Sequence, residues 1–171
     1  MKNSLIILSG PSGVGKGTIV NLLLERGGYA LSVSCTTRQK RCGEQDGVSY
    51  FFKSKEQFLK MIEEGGLLEY SNHFGNFYGT PKEFVEQKLK THNVILEIEV
   101  DGALQVKKAY PEALLIMILP PSVQELKARL KKRDTEDDGA IEQRLSRMEY
   151  ELSKKNEYDY TVVKRRLEVG G

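Results

Sequence analysis

The fold of this chain is decided by the stretch Leu5-Ile6-Ile7-Leu8-Ser9-Gly10-Pro11-Ser12-Gly13-Val14-Gly15-Lys16-Gly17-Thr18. It begins with a continuous apolar run that is short enough for a buried strand. Glycines then let the backbone turn so that successive N–H groups converge on an anion, and Lys16 adds a positive charge. A helix that begins near Gly15 points its positive end at the same anion. The spacing Gly10-x4-Gly15-Lys16 therefore predicts a phosphate-binding P-loop and, with it, a nucleotide site.

The same loop predicts which residues contact the phosphates and a magnesium ion. We expect the phosphates to lie against Gly10, Pro11, Ser12, Gly13, Val14, Gly15, Lys16, Gly17 and Thr18. P-loops commonly carry Ser or Thr directly after the lysine as a ligand of Mg²⁺. Gly17 occupies that position here, and the hydroxyl follows at Thr18. Thr18 is therefore the candidate magnesium ligand of the loop.

Composition narrows the class of protein. The 171 residues suffice for one domain with small inserts, and 39% apolar and 29% charged residues are typical of a soluble globular protein. The 26 basic and 24 acidic residues leave a net charge of +2, which gives no argument for nucleic acid as a partner. No apolar run reaches membrane-spanning length, and the N-terminus leads directly into the loop strand. We expect a cytoplasmic protein with free thiols at Cys35 and Cys42 and no zinc site.

Strands and helices alternate along the chain, which predicts an α/β domain with a central, mainly parallel five-stranded sheet. The strands predicted after the loop strand are Tyr29–Ser34, Asn93–Val100, Ala113–Leu119 and Tyr158–Val163. Two segments interrupt the alternation, residues 34–80 and residues 124–147, which leaves 1–33, 81–123 and 148–171 as the core. Ligands bind outside the carboxyl ends of parallel strands, so we expect the first insert to carry an acceptor and the second to act as a lid.

Capping patterns predict two helices in and after the first insert. Ser54-x-x-Gln57 is a capping box that starts one helix. In Thr80-Pro81-Lys82-Glu83, Thr80 is expected to cap a second helix whose first residue is Pro81.

Two arginines in the first insert are candidates for binding a monophosphate. Arg38 and Arg41 are three residues apart in a polar stretch without hydrophobic periodicity. Guanidinium groups match phosphate geometry, and the hydroxyls of Tyr50 and Tyr78 could complete such a site. The alternative is a solvated basic loop, which most charge clusters are. The P-loop in the same chain favours the functional interpretation.

Glu69 is the candidate that reads an acceptor base. It interrupts the apolar run Leu67-Leu68-Glu69-Tyr70, where a buried carboxylate is costly unless it has a partner. A carboxylate can accept hydrogen bonds from N1–H and the exocyclic amine of guanine, whereas adenine presents an acceptor at N1. Ser34 and Thr80 could supply hydroxyls to the remaining atoms of the base edge. On its own, Glu69 would more often be a surface charge on an edge strand.

Two further glutamates are candidates near the metal. Glu97 and Glu99 alternate on the predicted strand Asn93–Val100, so both should point to one face. In P-loop enzymes an acidic residue at such a strand end supports magnesium or its waters. A strand-end carboxylate paired with a lysine explains the pattern equally well.

Arginines in the second insert are candidates for closing over transferring phosphates. Arg129 and Arg133 share a helix face, and Arg144 follows in the next helix. Several arginines on a mobile element would neutralise charge where it develops in a transition state. Salt bridges with Glu125, Glu136 or Asp137 are the alternative. His73 and His92 have no metal or triad spacing and are expected to be structural or solvent-facing.

Together these residues resemble the guanylate kinase family, and the resemblance runs from about Leu5 to Val163. It is carried by the loop Gly10–Thr18, by Ser32-Val33-Ser34-Cys35-Thr36-Thr37-Arg38, by Gly43-Glu44-Gln45-Asp46-Gly47-Val48-Ser49-Tyr50-Phe51-Phe52, by Leu68-Glu69-Tyr70, by Gly75-Asn76-Phe77-Tyr78-Gly79-Thr80-Pro81, by Ile95-Leu96-Glu97-Ile98-Glu99-Val100 and by Leu119-Pro120-Pro121-Ser122. The loop alone indicates only a nucleotide, and the acceptor-site segments are far more specific. The chain departs from the family pattern at Glu99 (usually Asp), at Asp101 (often Gln) and at Lys164-Arg165-Arg166 (usually beginning Asn-Asp).

The resemblance implies a P-loop three-layer fold and the reaction ATP + GMP ⇌ ADP + GDP, also with dGMP, with Mg²⁺, in purine nucleotide metabolism. It implies that residues 34–80 bind GMP and that residues 124–147 form a helical lid. It places Ser34, Glu69, Thr80 and Glu99 at the guanine side, Arg38, Arg41, Tyr50 and Tyr78 at the GMP phosphate, and Lys16, Arg129, Arg133 and Arg144 at the transferred phosphoryl group. Thr18 and Glu97 would approach magnesium mostly through water.

Two other functions remain open at this point. One is a non-catalytic guanylate-kinase-like module that binds a protein or phosphopeptide, although such modules typically lose the loop lysine and the lid arginines that this chain retains. The other is a nucleoside monophosphate kinase with a different base preference, against which Glu69 argues. Oligomeric state is not specified by the sequence.

Overall fold

The computed structural model describes residues 2–11, 14–132 and 138–164, with residues 126, 129–132, 138 and 140–141 described by their backbone alone. The elements in chain order are β1 (Leu5–Ser9), α1 (Lys16–Arg26), β2 (Tyr29–Leu31), β3 (Cys35–Thr36), β4 (Phe51–Phe52), α2 (Lys55–Glu63), β5 (Leu67–His73), β6 (Asn76–Pro81), α3 (Lys82–Leu89), β7 (Asn93–Glu97), α4 (Val100–Ala109), β8 (Leu114–Leu119), α5 (Val123–Lys132), α6 (Asp138–Ser153), a 3₁₀ turn (Lys155–Glu157) and β9 (Tyr160–Val163).

Five strands form a sheet in the order β2-β7-β1-β8-β9, and all of their pairings are parallel. Successive side chains of a strand point to opposite faces. Ile7 and Leu96 therefore join a core covered by α3 and α4, whereas Leu8 and Ile95 join a second core covered by α1. Burial on both faces explains why these strands are continuous apolar runs. The predicted α/β fold with a five-stranded parallel sheet between helices is confirmed.

A second, four-stranded sheet is built from the first insert, in the order β4-β3-β6-β5. Its pairings are mixed, because β3 runs parallel to β4 but antiparallel to β6, and β5 and β6 form an antiparallel hairpin. Helix α2 packs on this sheet through Phe58, which is fully buried and stacks on Phe77 with the ring centroids 5.2 Å apart. The predicted capping box at Ser54 and Gln57 is present at the start of α2.

Two strands end earlier than the sequence-based prediction has them. β2 ends at Leu31, because the chain then crosses from the parallel sheet to the second sheet, and the carbonyl of Ser34 accepts a hydrogen bond from the Phe51 N–H at 2.8 Å. β7 ends at Glu97, and Glu99 is the N-cap residue of α4. The assignment of both glutamates to one strand face was therefore wrong for Glu99.

The predicted capping role of Thr80 was also wrong. Thr80 belongs to β6, Pro81 is the N-cap residue of α3, and no side chain caps that helix. The Thr80 hydroxyl instead donates a hydrogen bond to Oε1 of Glu69 at 2.7 Å. A buried carboxylate binds a hydroxyl proton more strongly than a neutral acceptor does, because the bond is assisted by charge.

The carboxyl ends of β1, β7 and β8 meet at one edge of the parallel sheet, because parallel strands all run in the same direction. The P-loop follows β1 at this edge, and Glu97 and Glu99 stand at the end of β7. The first insert leaves the core after β2 and returns to it through α3, beside the same edge. None of the described helices is long and apolar enough to cross a membrane.

Candidate active site

The P-loop is shaped by close packing at its start and by a glycine at its end. A Cβ atom added to Gly10 would lie 2.5 Å from the carbonyl oxygen of Ile118, so no side chain fits there. Gly15 has a φ of 94°, in the left-handed region that glycine adopts without strain. Lys16 is the first residue of α1, and its Nζ donates a hydrogen bond to the Gly10 carbonyl at 2.7 Å. The lysine thus folds back over the loop at the positive end of a helix, which is a site for phosphate.

The remaining loop residues are placed as follows. Pro11 and Val14 are buried, Gly17 and Thr18 are exposed in the first turn of α1, and Ser12 and Gly13 lie outside the described residues. At the C-terminal end of β9, Lys164 extends to the loop, where its Nζ donates to the Gly15 carbonyl at 3.2 Å. This departure from the family pattern therefore adds a second cation beside the loop.

Two cavities adjoin at the end of β7. A cavity of about 490 Å³, the P-loop cavity, is lined by Gly10, Gly15, Lys16, Gly17, Glu97, Glu99 and Glu151. A second cavity of about 510 Å³, the insert cavity, is lined by Ser34, Tyr50, Glu69, Ser71, His73, Phe74, Tyr78, Gly79, Glu97, Ile98, Glu99, Asp101 and Gly102. Glu97 and Glu99 line both. A ligand in one cavity would therefore lie next to a ligand in the other.

Glu69 lies buried in the wall of the insert cavity, with only 7% of its surface exposed. The pairing of β5 with β6 shifts register between Leu67 and Glu69, and the shift sets Glu69 opposite Thr80. Such irregularities commonly redirect a side chain at a functional site. Thr80 does not line the cavity, because it lies behind Glu69 and holds the Oε1 atom. The sequence-based suggestion of an ordinary surface charge does not hold here.

Gly102 of α4 makes room for the Glu69 carboxylate. A Cβ atom at Gly102 would lie 2.8 Å from Oε2 of Glu69 and 3.2 Å from its Cδ. Sequence reasoning missed this residue, although a glycine inside a helical segment is a recognisable signal of close approach. Without a side chain at this point, helix α4 can lie directly against the carboxylate.

The phosphate-binding candidates of the first insert also come together. The Arg38 guanidinium lies 5.3 Å from the centre of the Tyr50 ring, and the Tyr50 and Tyr78 rings are 6.1 Å apart in edge-to-face contact. Glu44 holds Arg38 through two hydrogen bonds of 3.0 and 2.8 Å. It also accepts a hydrogen bond from the backbone N–H of Arg41, whose side chain is exposed.

Glu44 is a second residue that sequence reasoning missed. The bidentate hydrogen bond from Arg38, with that from the Arg41 N–H, lowers the pKa of the Glu44 carboxyl to about 2. The same contact raises the pKa of Arg38 above its usual value. Glu44 therefore stays ionised and keeps the Arg38 guanidinium beside the tyrosine rings. The signal in the sequence was an acidic residue six positions after Arg38 and three after Arg41.

Metal ligands are sparse in this region. Within the described part of the chain, no group of three or more His, Cys, Asp or Glu side chains could hold a metal ion. Glu97 is exposed at the end of β7, and Thr18 is exposed near the N-terminus of α1. Mg²⁺ bound to nucleotide phosphates keeps several waters and needs only one or two protein oxygens. The residues present fit a magnesium ion that arrives with a nucleotide.

The lid candidates are described only in part. Arg144 is an exposed residue of α6, the side chain of Arg129 in α5 is not described, and Arg133 lies outside the described residues, as do Glu136 and Asp137. Their approach to a transferring phosphoryl group stays a prediction.

The state of Glu69 predicts an unusual dependence of stability on pH. Burial raises the pKa of the Glu69 carboxyl, the hydrogen bond from Thr80 opposes the rise, and the charge of Glu99 adds to it. Between the usual and the raised pKa, the folded protein keeps a proton that the unfolded chain has lost. Raising the pH through this window therefore lowers the free energy of unfolding.

We predict that Glu69→Gln makes the protein more stable than the wild type above the usual glutamate pKa, with a gain that grows as pH rises through the window. The amide is neutral at every pH, and its Oε1 can accept the same bond from Thr80. Thermal unfolding of both proteins from about pH 4 to about pH 9 measures the gain. Glu86→Gln, at an exposed position of α3, is the matched control. A gain that does not change with pH would contradict the prediction.

Comparisons with known proteins agree with this geometry. A sequence profile of the family described as guanylate kinase matches residues 2–169. The guanylate kinase of Caldanaerobacter subterraneus subsp. tengcongensis is 50% identical over 161 residues, which are 93% of this chain and 78% of the relative. The guanylate kinase of Synechocystis sp. is 50% identical over 165 residues, which are 95% of this chain and 86% of the relative. A crystal structure of guanylate kinase from Anaplasma phagocytophilum matches with a TM-score of 0.72 at 34% identity, over 98% of this chain and 79% of that one. The chain therefore belongs to the guanylate kinase family of enzymes.

Proposed function

We propose that this enzyme transfers the γ-phosphoryl group of ATP to GMP and dGMP in the cytoplasm, with ATP at the P-loop cavity and the acceptor in the insert cavity. The observation that carries the proposal is that these two cavities adjoin along Glu97 and Glu99. A phosphate held at Lys16 and a phosphate held near Tyr50 and Tyr78 would then approach each other across this boundary. The alternative of a non-catalytic module is disfavoured, because such modules typically lose the loop lysine and this chain retains Lys16.

Glu69 reads the base in this proposal. Its carboxylate would accept hydrogen bonds from N1–H and the amine of guanine, and those bonds favour the ionised form against the cost of burial. Thr80 acts through Glu69 by holding Oε1. Ser34 lines the same cavity and adds a hydroxyl, and Glu99 adds a second carboxylate. Adenine lacks both of these donors, so it would leave the buried carboxylate without the bonds that guanine supplies, and polar mismatches of this kind are strongly rejected.

Arg38, Arg41, Tyr50 and Tyr78 hold the phosphate of the acceptor. Glu44 occupies part of the Arg38 fork, and a guanidinium carries five N–H donors, so others stay available for phosphate. The tyrosine hydroxyls supply neutral donors beside it. Fixing the acceptor phosphate in this way aligns it with the donor, and alignment is the largest contribution that a protein makes to phosphoryl transfer.

Lys16, with Arg129, Arg133 and Arg144, would neutralise the charge that develops on the transferred group. Mg²⁺, held by the ATP phosphates with Thr18 and Glu97 nearby and mostly through water, would neutralise further charge on the phosphates. We propose that residues 34–80 and 124–147 close over residues 1–33, 81–123 and 148–171. Closure would exclude water and so suppress ATP hydrolysis.

A coupled assay of ADP formation with GMP, dGMP, AMP and UMP tests the proposal. We expect turnover with GMP and dGMP alone. Lys16→Met should lower kcat by about 10²-fold or more with an unchanged melting temperature, because the lysine stabilises the transition state without supporting the core. This variant also excludes a contaminating kinase. The proposal fails if no acceptor yields ADP, and the guanine assignment fails if AMP is preferred.

Glu69→Gln separates base recognition from general damage. We expect the KM for GMP to rise about 10- to 100-fold, because the amide sets a donor against the donors of guanine and leaves buried polar groups unpaired. The KM for ATP should change little. Steady-state kinetics with each substrate varied in turn measure both, and Glu86→Gln is the control. Equal effects on the two constants would exclude a base-reading role.

Gly102→Ala tests whether helix α4 sets the position of Glu69. The new Cβ would lie 2.8 Å from Oε2 and displace the carboxylate, so we expect the KM for GMP to rise about tenfold, equivalent to about 1.4 kcal/mol. Alanine favours a helix over glycine by about 1 kcal/mol, so the melting temperature should not fall. Lys108→Ala, at an exposed position of the same helix, is the control for kinetics and stability. An unchanged KM for GMP would show that α4 does not constrain Glu69.

A further inference from the structure

Arg147 of α6 joins three carboxylates from two helices. Its Nη2 atom lies 2.9 Å from Oε2 of Glu99, its Nη1 and Nη2 atoms each lie 3.4 Å from Oδ2 of Asp101, and its Nε atom lies 3.3 Å from Oε1 of Glu151. The Tyr150 hydroxyl donates to the other oxygen of Asp101 at 2.7 Å. The Arg147 guanidinium lies 5.2 Å from the centre of the Tyr150 ring. The start of α4 is thus attached to α6 through the Arg147 guanidinium and the Tyr150 hydroxyl.

We infer that Arg147 is a positioning residue for the acceptor, and that it acts by fixing the Glu99 carboxylate at the boundary of the two cavities. The inference deepens the proposed function and rests on it, because it assigns Glu99 to the acceptor site. Arg147 lines neither cavity, whereas Glu99 lines both. Its effect on a substrate must therefore pass through the carboxylates that it holds.

One of the two oxygens of the Glu99 carboxylate is available to a ligand. In the described part of the chain, Arg147 and the more distant His73, at 3.9 Å, both approach Oε2. The Oε1 atom is left for a donor on the acceptor. Glu99 has 53% of its side chain exposed and is the N-cap residue of α4, so without a partner its carboxylate would sample several rotamers. The Arg147 guanidinium restricts this freedom, because its planar fork binds Glu99 and Asp101 together.

Charge gives Arg147 a second effect on the same site. Glu69, Glu97, Glu99 and Asp101 line the insert cavity, and a nucleoside monophosphate that enters it is itself an anion. The charge of Glu99 already raises the pKa of Glu69, so an uncompensated cluster would disfavour the ionised form that binds guanine. Arg147 compensates two of these carboxylates at hydrogen-bond distance. Removing it would leave the charge of Glu99 less compensated beside Glu69, although Asp101 keeps the hydrogen bond from Tyr150.

A double-mutant cycle tests the inference. Arg147→Met, Glu99→Gln and the double variant are compared with the wild type by KM for GMP, KM for ATP and kcat. We expect Arg147→Met to raise the KM for GMP about tenfold, with the KM for ATP within about twofold, because the inference assigns Glu99 to the acceptor. In the Glu99→Gln background, Arg147→Met should raise the KM for GMP by less than about twofold, since the effects of coupled residues are not additive. Arg147→Lys keeps the charge without the fork and should give an intermediate KM for GMP.

Lys154→Met is the matched control. Its ammonium lies 5.7 Å from the centre of the same Tyr150 ring, just after α6, but it has no contact with Glu99 or Asp101 in the described part of the chain. It should leave all three constants unchanged. If Arg147→Met does not fold, as thermal unfolding will show, the cycle is run with Arg147→Lys.

Any of three results for Arg147→Met would overturn the inference. The variant could leave the KM for GMP unchanged, or it could raise the KM for GMP and the KM for ATP equally. It could also raise the KM for GMP by the full tenfold in the Glu99→Gln background. A wild-type protein that does not phosphorylate GMP would instead remove the proposed function on which the inference rests. That outcome is visible before any variant is made.

Discussion

The parallel pairing of β1 with β7 on one side and β8 on the other is the constraint on which the rest of the structure depends. It sets the P-loop, which must follow a buried strand, directly beside the acidic end of β7. The loop packs tightly at Gly10 against the backbone of Ile118 in β8, so its position depends on the register of these strands. The position of Glu97 and Glu99 between the two cavities follows from the same pairing.

The buried Glu69 carboxylate, in the wall of the insert cavity, lowers the stability of the folded protein. Burial of Glu69 disfavours its ionised form, and the hydrogen bond from the Thr80 hydroxyl offsets only part of that cost. A buried carboxylate that accepts one hydrogen bond among the described residues, from Thr80, is prepared to accept others from a ligand. In the proposed function, stability is exchanged for base recognition at this position, as is common where a site holds polar groups for a substrate.

Much of the fold could be predicted, because it depends on local patterns. The apolar runs of the core strands, the glycine spacing of the loop and the Ser54 capping box all act through neighbours in sequence. Predictions were wrong where a distant group competed with a local one. Thr80 has the pattern of a helix cap, yet its hydroxyl goes to a carboxylate brought opposite it by an irregular strand pairing.

The sequence by itself determined the α/β class, the P-loop and part of the lining of the two cavities, such as Lys16, Glu69 and Tyr78, since each is encoded by residue type at a fixed spacing. Only the tertiary structure decided which charges compensate which. Glu44 holds Arg38 within one loop, but Arg147 is 48 residues from Glu99 and 46 from Asp101 in the chain. Nothing in local sequence selects such partners, because ion pairs depend on distance in space and are formed wherever the packing of α6 against α4 brings opposite charges together.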